Sequence, residues 1–292
     1  MKKITILIPI YNDWKSVLKL LEDIELQVND WDYEVSVLIV DDASVEERPD
    51  STFSFKNLKL IQVLHMKENR GHARCNASGL KYINEKEEFD FIIPMDGDGE
   101  DRPEELSLFF DKLKDYPDKV ITADRVKRSE GLFFKLCYLV HKYLTFIFTG
   151  QFIRFGNYTC LPKPIIEKMV NEKATWSSFS GSLAKTTKER VSIPSIRGTR
   201  YFGPSKMSFI NLLKHSLSII AVFKITLLIR SLLFLVVYLF LILGKVSVIT
   251  LLPVMAVIIM IISVIILSRR ENLSEFNKSL ENIESIDQYL KK

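Results

Sequence analysis

The sequence predicts an α/β protein, a doubly wound, mostly parallel sheet followed by juxtamembrane helices and a two-helix transmembrane hairpin. Short β-branched runs alternate with runs of helical apolar spacing as far as Ala123, the pattern of strands joined by crossover helices. Most of the remaining apolar excess lies between Ile219 and Leu267, in stretches almost free of charge. Acidic residues recur where the strands end, the side on which such sheets carry their ligand crevice.

Lys3 to Ile10 is apolar and β-branched and reads as the first strand, and Asp13 to Gln27 places Val17, Leu18, Leu20, Leu21 and Ile24 at helical spacing. Glu34 to Val40 is a second strand ending at Asp41-Asp42, Leu58 to Leu64 a third, Gly71 to Asn84 a helix, and Phe89 to Met95 a fourth strand. Pro103-Glu104-Glu105 opens a helix running to Asp115, since proline and acids suit a first turn. Lys119 to Ala123 reads as a fifth strand. Leu132 to Phe148 is long, apolar and aromatic with Lys135, His141 and Lys142 interspersed; it suits either an amphipathic helix at a membrane surface or a core helix. Ser205 to Ala221 repeats that style and leads toward the membrane. In the polar tail from Glu271 to Lys292, the spacing of Leu273, Phe276, Leu280, Ile283, Ile286 and Leu290 predicts a short surface helix.

Val246 to Leu267 gives 22 residues without an ionisable side chain, enough at 1.5 Å per residue to cross about 30 Å of hydrocarbon. Ser231 to Leu243 is shorter, but extending it back to Phe223 makes a second span, with Lys224 and Arg230 reaching toward headgroups. Gly244-Lys245 leaves room only for a tight hairpin. Lys206, Lys214, Lys224 and Arg230 before it and Arg269 and Arg270 after it, against Lys245 alone at the turn, place both termini in the cytoplasm. The opening MKKITILIPIYND has too short an apolar stretch for a signal peptide. Cys75, Cys137 and Cys160 lack metal-ligand spacing and read as buried free thiols. A net charge of +4 suits a surface facing anionic lipid and, with no recognition motif, argues against nucleic-acid binding.

Tyr11, Asn12, Asp13, Asp41, Asp42, Asp96 and Asp98 all fall at strand ends. Asp96 and Asp98, with Gly97 between, leave the fourth strand as residues i and i+2 and so share a face. Two carboxylates so placed make a hard, open oxygen site for Mg²⁺ or Mn²⁺, completed by phosphate oxygens and water. The competing reading is capping: Asp13, Asp42 and Ser44 each suit a helix N-cap.

ILIPIYND, VLIVDDAS, ENRGHARCNASGL and MDGDGEDRPEEL, in that order, resemble family 2 of the inverting glycosyltransferases, and within it the membrane-linked polyprenyl-phosphate sugar synthases. The resemblance spans about residues 4 to 215 and implies a GT-A fold. It implies that Pro9, Tyr11, Asp13, Val40 and Asp42 hold the nucleotide. Asp96 and Asp98 would bind the metal, with Gly97 beside the donor and Glu100, where the family usually has glutamine, as a third or water-bridged ligand. Arg125, and Arg200 and Lys206 in RYFGPSKMSF, match family cations that contact the diphosphate. Gly71, Ala73, Asn76 and Gly79 match a helix packed beneath the nucleotide, where small residues permit close approach. At the acceptor side, GNYTCLPK departs from the family pattern, Asn157 replacing an acid and Thr159 an arginine, and WSSFSGSLAK departs as well.

The implied reaction is inverting transfer from a UDP- or GDP-sugar to undecaprenyl or another polyprenyl phosphate at the cytoplasmic face of a bacterial inner membrane. A phosphate acceptor is already an anion and needs no general base; a sugar hydroxyl would need one, with Asp101 and Glu104 as candidates if the chain instead extends a lipid-linked glycan. A noncatalytic protein that binds partners or aids lipid-sugar flipping is the reading from another class. The chain divides into a catalytic domain at 1–205, a juxtamembrane segment at 206–222, spans at 223–243 and 246–267, and a cytosolic tail at 268–292. The resemblance to bacterial members of this architecture implies a homo-oligomer, with a tetramer as the candidate state.

Overall fold

A computed structural model of the chain describes residues 1–29, 31–46, 48, 55–127, 132–204 and 209–290. Strands β1 (Lys2–Ile10), β2 (Tyr33–Asp41), β3 (Leu60–Met66) and β4 (Phe91–Pro94) are parallel, with β1 central between β2 and β4. The connections α1 (Trp14–Gln27) and α2 (His72–Lys86) lie on opposite faces, so β1 is covered on both sides and reads as a nearly unbroken apolar run. Ile4, Ile6, Ile8 and Ile10 pack toward α1 and α3 (Leu106–Asp115), while Leu7 packs toward α2. That second contact is close: a Cβ on Gly79 would lie 2.3 Å from Leu7 Cδ1, so only glycine lets α2 approach β1 this nearly.

Beyond β4 the sheet changes direction. β5 (Val120–Lys127) and β6 (Phe155–Pro162) are antiparallel to each other, β6 inserts antiparallel to β4, and β7 (Arg190–Ile196) runs parallel to β5 at the edge. With β8 (Ile283–Leu290) at the far edge, the order is β7-β5-β6-β4-β1-β2-β3-β8. The two stretches that depart from the expected acceptor pattern therefore form β6 and, after α5 (Lys163–Met169), helix α6 (Phe179–Thr186).

The eighth strand corrects the tail. α10 (Leu273–Asn277) is one short helix, after which β8 (Ile283–Leu290) pairs antiparallel with β3. The apolar spacing suggested a helix because Phe276, Leu280 and Ile283 all pack on the α2 face, although they come from α10, the turn after it and the start of β8 rather than from one helix. The sheet edge at β3 offered unpaired backbone groups that the tail satisfies.

α4 (Leu132–Thr149) and α7 (Phe209–Ala221) lead to α8 (Lys224–Leu241) and α9 (Val248–Ser268), both long and apolar enough to cross a membrane. Ser247 and Thr250 form a capping box at the start of α9, closing the hairpin turn after Gly244. Phe148, Ile220, Ala221, Leu227, Val257 and Val264 make one apolar cluster joining α4 and α7 to the hairpin. Lys224 and Arg230 do not simply extend to headgroups: Lys224 Nζ lies 3.5 Å from the buried Glu271 carboxylate, and Arg230 Nη1 donates to the Phe146 and Ile147 carbonyls at 3.2 and 2.9 Å. The first contact ties the two feet of the hairpin on one side; the second places a cation at the C-terminus of α4.

Candidate functional site

The turn after β4 is built by hydrogen bonds from both sides. Asp96 N donates to Asp101 Oδ2 at 2.9 Å and Glu100 N to Asp98 Oδ1 at 3.0 Å. Gly99 has φ +87°, and a Cβ there would lie 2.5 Å from the Tyr201 ring; a Cβ on Gly97 would already be 3.0 Å from Ile10 Cγ2. The turn is pressed between β1 and the segment 197–204.

That segment crosses the turn as a strap. Gly198 N donates to the Glu100 carbonyl at 2.8 Å and Tyr201 N to the Asp98 carbonyl at 3.0 Å. Arg200 Nη1 donates to Asp98 Oδ2 at 2.6 Å, and its Nη2 donates to Asp13, so one guanidinium joins the ends of β1 and β4. Arg197 pairs with Glu100. Asp96 faces other partners: Oδ1 lies 3.1 Å from His72 Nε2 and accepts from Asn157 Nδ2 at 3.5 Å.

Burial pushes the Asp98 carboxyl up to about 6, with the Asp96 charge adding to it. Burial would also raise Asp96, but the hydrogen bond and charge of His72 outweigh it and hold Asp96 below the ordinary carboxylate range. Asp101, buried behind the turn with Arg125 Nη2 at 3.9 Å, is raised to about 8 by burial and by Asp96.

At the neighbouring strand ends, Asn12 (φ 51°) accepts from Val45 N and Glu46 N at 2.8 and 3.1 Å, and its own N–H donates to Ser44 Oγ at 2.8 Å. Asp42 accepts from Arg70 N and Gly71 N at 2.9 and 2.8 Å, and burial raises its carboxyl. The capping alternative is thus not how these residues are used. Asp13 occupies the N-cap position of α1 without a side-chain cap bond and accepts instead from Ser16 Oγ at 2.6 Å. Val40 is buried, Pro9 lies within β1, and Tyr11 is exposed at the mouth. A cavity of about 450 Å³ beside them is lined by Asn12, Asp13, Lys15, Glu46, Phe202, Gly203 and Pro204.

The structure therefore brings Asp13, Asp96, Asp98 and Arg200 into one cluster, with Arg125 behind it. Lys206 lies outside the described residues, and so does the side chain of Cys137. Glu100 is turned to Arg197 rather than gathered with Asp96 and Asp98. Among the described residues no three His, Cys, Asp or Glu side chains stand close enough to hold an ion by themselves. The donor set still fits a hard cation: two carboxylates on one turn, Asp98 paired with the Arg200 guanidinium and Asp96 with the His72 imidazole, leave the remaining positions to phosphate oxygens and water. His72 and Arg197 were missed as members of the site, and Asn157, read only as a departure at the acceptor side, meets Asp96. Only His72, following Gly71 at a strand end, carried a sequence signal.

Residues 5–164 match the profile of glycosyl transferase family 2. Undecaprenyl-phosphate 4-deoxy-4-formamido-L-arabinose transferases are similar to the chain. The protein from Klebsiella pneumoniae (strain 342) is 28% identical over 221 residues, 73% of this chain and 64% of that protein. The one from Photorhabdus laumondii subsp. laumondii is 27% identical over 221 residues, 73% of this chain and 65% of that protein. The chain thus spans just under two thirds of the length of these relatives. Among solved structures, glucosyl-3-phosphoglycerate synthase from Mycobacterium tuberculosis, crystallised with Mn²⁺, UDP and glucosyl-3-phosphoglycerate, superposes with a TM-score of 0.53 at 12% identity, covering 78% of this chain and 80% of that one. At that identity the likeness speaks for the fold, which is the GT-A arrangement.

Proposed function

The chain belongs to glycosyl transferase family 2, and we propose that it is a membrane-anchored, inverting, metal-dependent transferase that moves a sugar from a UDP- or GDP-sugar to a polyprenyl phosphate at the cytoplasmic face of a bacterial membrane. The observation that carries this reading is the attachment of the acidic strand ends to an apolar hairpin: β6 brings Asn157 to Asp96, and the preceding helix α4 packs through Phe148 on the hairpin. The similarity to relatives named for undecaprenyl phosphate supports the acceptor.

In this reading residues 1–205 form the transferase, 206–222 lie along the membrane, and 223–243 and 246–267 cross it as a multi-pass anchor with both termini cytoplasmic. The protein assembles as a homo-oligomer, with a tetramer as the candidate. Pro9, Tyr11, Asp13, Val40 and Asp42 border the nucleotide. Asp96 and Asp98 would hold Mg²⁺ or Mn²⁺, which when bound stabilises charge on the leaving diphosphate. Arg200, already fixed on Asp98 and Asp13, stands as a pre-positioned cation beside that charge, with Arg125 and Lys206 as further basic groups. An acceptor phosphate oxygen forms its bond to the anomeric carbon as the carbon–oxygen bond to the diphosphate breaks on the opposite face, inverting the centre.

No protein base is required for a phosphate, and the two carboxylates considered for a hydroxyl acceptor have partners of their own. Asp101 accepts from Asp96 N, and Glu104 pairs with Arg102 at 3.4 Å. The test is turnover by purified protein in detergent with Mn²⁺ and undecaprenyl phosphate, offered a panel of uridine and guanosine sugars, beside Asp98→Ala. A lipid-extractable sugar that disappears in the variant is expected. Donor hydrolysis with no lipid product, or transfer only to a glycolipid hydroxyl, would contradict the acceptor.

A further inference from the structure

We infer that the segment following the hairpin is a working part of the nucleotide pocket, with Asp287 positioning Asp41 through His65; this rests on the proposal that the nucleotide lies at the end of β2. β8 pairs with β3 from Leu60↔Leu290 to Met66↔Ile283, with an irregularity between His65 and Met66. There the His65 ring bridges two carboxylates: Nδ1 is 3.2 Å from Asp41 Oδ2 and Nε2 is 3.2 Å from Asp287 Oδ2. An imidazole engaged at both nitrogens has its orientation fixed.

Asp41 is buried, and what it holds leads directly to the site. Its Oδ1 accepts from Ser44 N at 3.1 Å, and Ser44 Oγ accepts from Asn12 N, the residue before Asp13. A displacement of Asp41 would therefore reach the turn that sets Asn12 and Asp13.

The residues just before β8 also hold the start of the loop that leads to the other aspartate, Asp42. Lys67 N donates to the Asn282 carbonyl at 2.7 Å, Lys67 Nζ to the Glu281 carbonyl at 2.8 Å, and Asn282 Nδ2 to the Glu68 carbonyl at 3.1 Å. Three residues on, Arg70 and Gly71 give their N–H groups to Asp42. Outside the ring, Arg48 lies 3.5 Å from Asp287, with its guanidinium over Trp14 and Tyr289. A strand that only covered a sheet edge would need its backbone ladder and apolar side chains; this one also holds, through Asp287, the histidine that contacts Asp41.

The experiment uses the full chain in detergent, with UDP and GDP as probes in the presence of Mn²⁺, and reads affinity by calorimetry and stability by melting. Asp287→Ala and His65→Ala should each weaken nucleotide binding about fivefold, the scale of one lost orienting hydrogen bond. The double variant should lose no more than either single one, because both break the same chain of contacts. Asp287→Asn should recover most of the loss, since its amide oxygen still accepts from the imidazole. Glu284→Ala, exposed on the same strand, should bind as wild type does. Unchanged affinity in Asp287→Ala, additive losses in the double variant, or an Asn variant no better than Ala with affinity following melting temperature would each overturn the inference. Wild-type protein that binds neither UDP nor GDP would overturn the donor reading, and this inference with it. A missing lipid product would not touch the test, which uses no acceptor.

Discussion

Replacing Arg200 by methionine keeps most of the buried stem and removes the cation between Asp98 and Asp13. The arginine side chain is 14% exposed and each aspartate 18%, so water offers little screening of what remains. Removing one partner of a buried ion pair commonly costs about 3–5 kcal/mol because the other charge is left uncompensated. Here two carboxylates lose their counter-charge, while the residual exposure and the Ser16 hydroxyl on Asp13 relieve part of the penalty, so a loss of about 3 kcal/mol is expected. For a chain of 292 residues, with an unfolding entropy of about 2.1 cal/mol/K per residue, that lowers melting by about 5 °C. The assay is thermal unfolding in detergent, with and without Mn²⁺. With its competitor gone, the ion should bind the Arg200→Met protein more tightly in the absence of nucleotide and raise its melting temperature more than that of wild type. Turnover should fall by about 10²–10³, the usual consequence of losing a pre-positioned charge at the leaving group. A variant that melts with wild type in the absence of Mn²⁺ and shows the same Mn²⁺ shift would refute the view that Arg200 neutralises these carboxylates.

Gly79→Ala should destabilise the protein by about 1–2 kcal/mol, because overpacking against Leu7 Cδ1 and Val40 Cγ2 exceeds the helix-propensity gain of about 1 kcal/mol; unfolding at matched detergent reads it, and an unchanged or raised midpoint would speak against the close approach of α2. Cys75 and Cys160 are buried, and burial pushes both thiols upward, so neither supplies thiolate near pH 8. Residue-resolved alkylation at pH 8 should leave both unmodified until the protein is unfolded, and rapid native labelling of either would disprove their enclosure. Amides of residues 283–290 that pair with β3 should exchange as slowly as those of β3 itself, whereas exchange at the rate of a solvated tail would remove β8 from the sheet.

The parallel half of the sheet was legible because β1, β2 and β4 are buried on both faces, which writes them as β-branched runs with acids at their ends. The turn bearing Asp96 and Asp98 was legible for the same reason, since the strand before it fixes where the carboxylates emerge. Of the antiparallel part, only β5 was legible. β6 lies in a stretch read for its chemistry, and β7 alternates buried and exposed residues too briefly to stand out. β8 was hidden because its partner β3 lies more than two hundred residues away, and local spacing cannot report such a pairing. Site membership followed the same division. Asp13, Asp98 and Arg200 stood out as charged residues at strand ends or in a motif, but the contacts of Asn157 and His72 with Asp96 depend on how β6 and α2 meet β4, which sequence order does not display. The ion pair of Glu100 was hidden for a related reason: its partner Arg197 comes from the distant strap.

The most direct test of the central claim is ³¹P nuclear magnetic resonance of the lipid recovered after turnover with undecaprenyl phosphate and the accepted nucleotide sugar. The account predicts that the phosphate monoester signal is replaced by that of a phosphodiester carrying the sugar through an inverted anomeric bond. A monoester left unchanged while sugar is transferred to a hydroxyl elsewhere would contradict it.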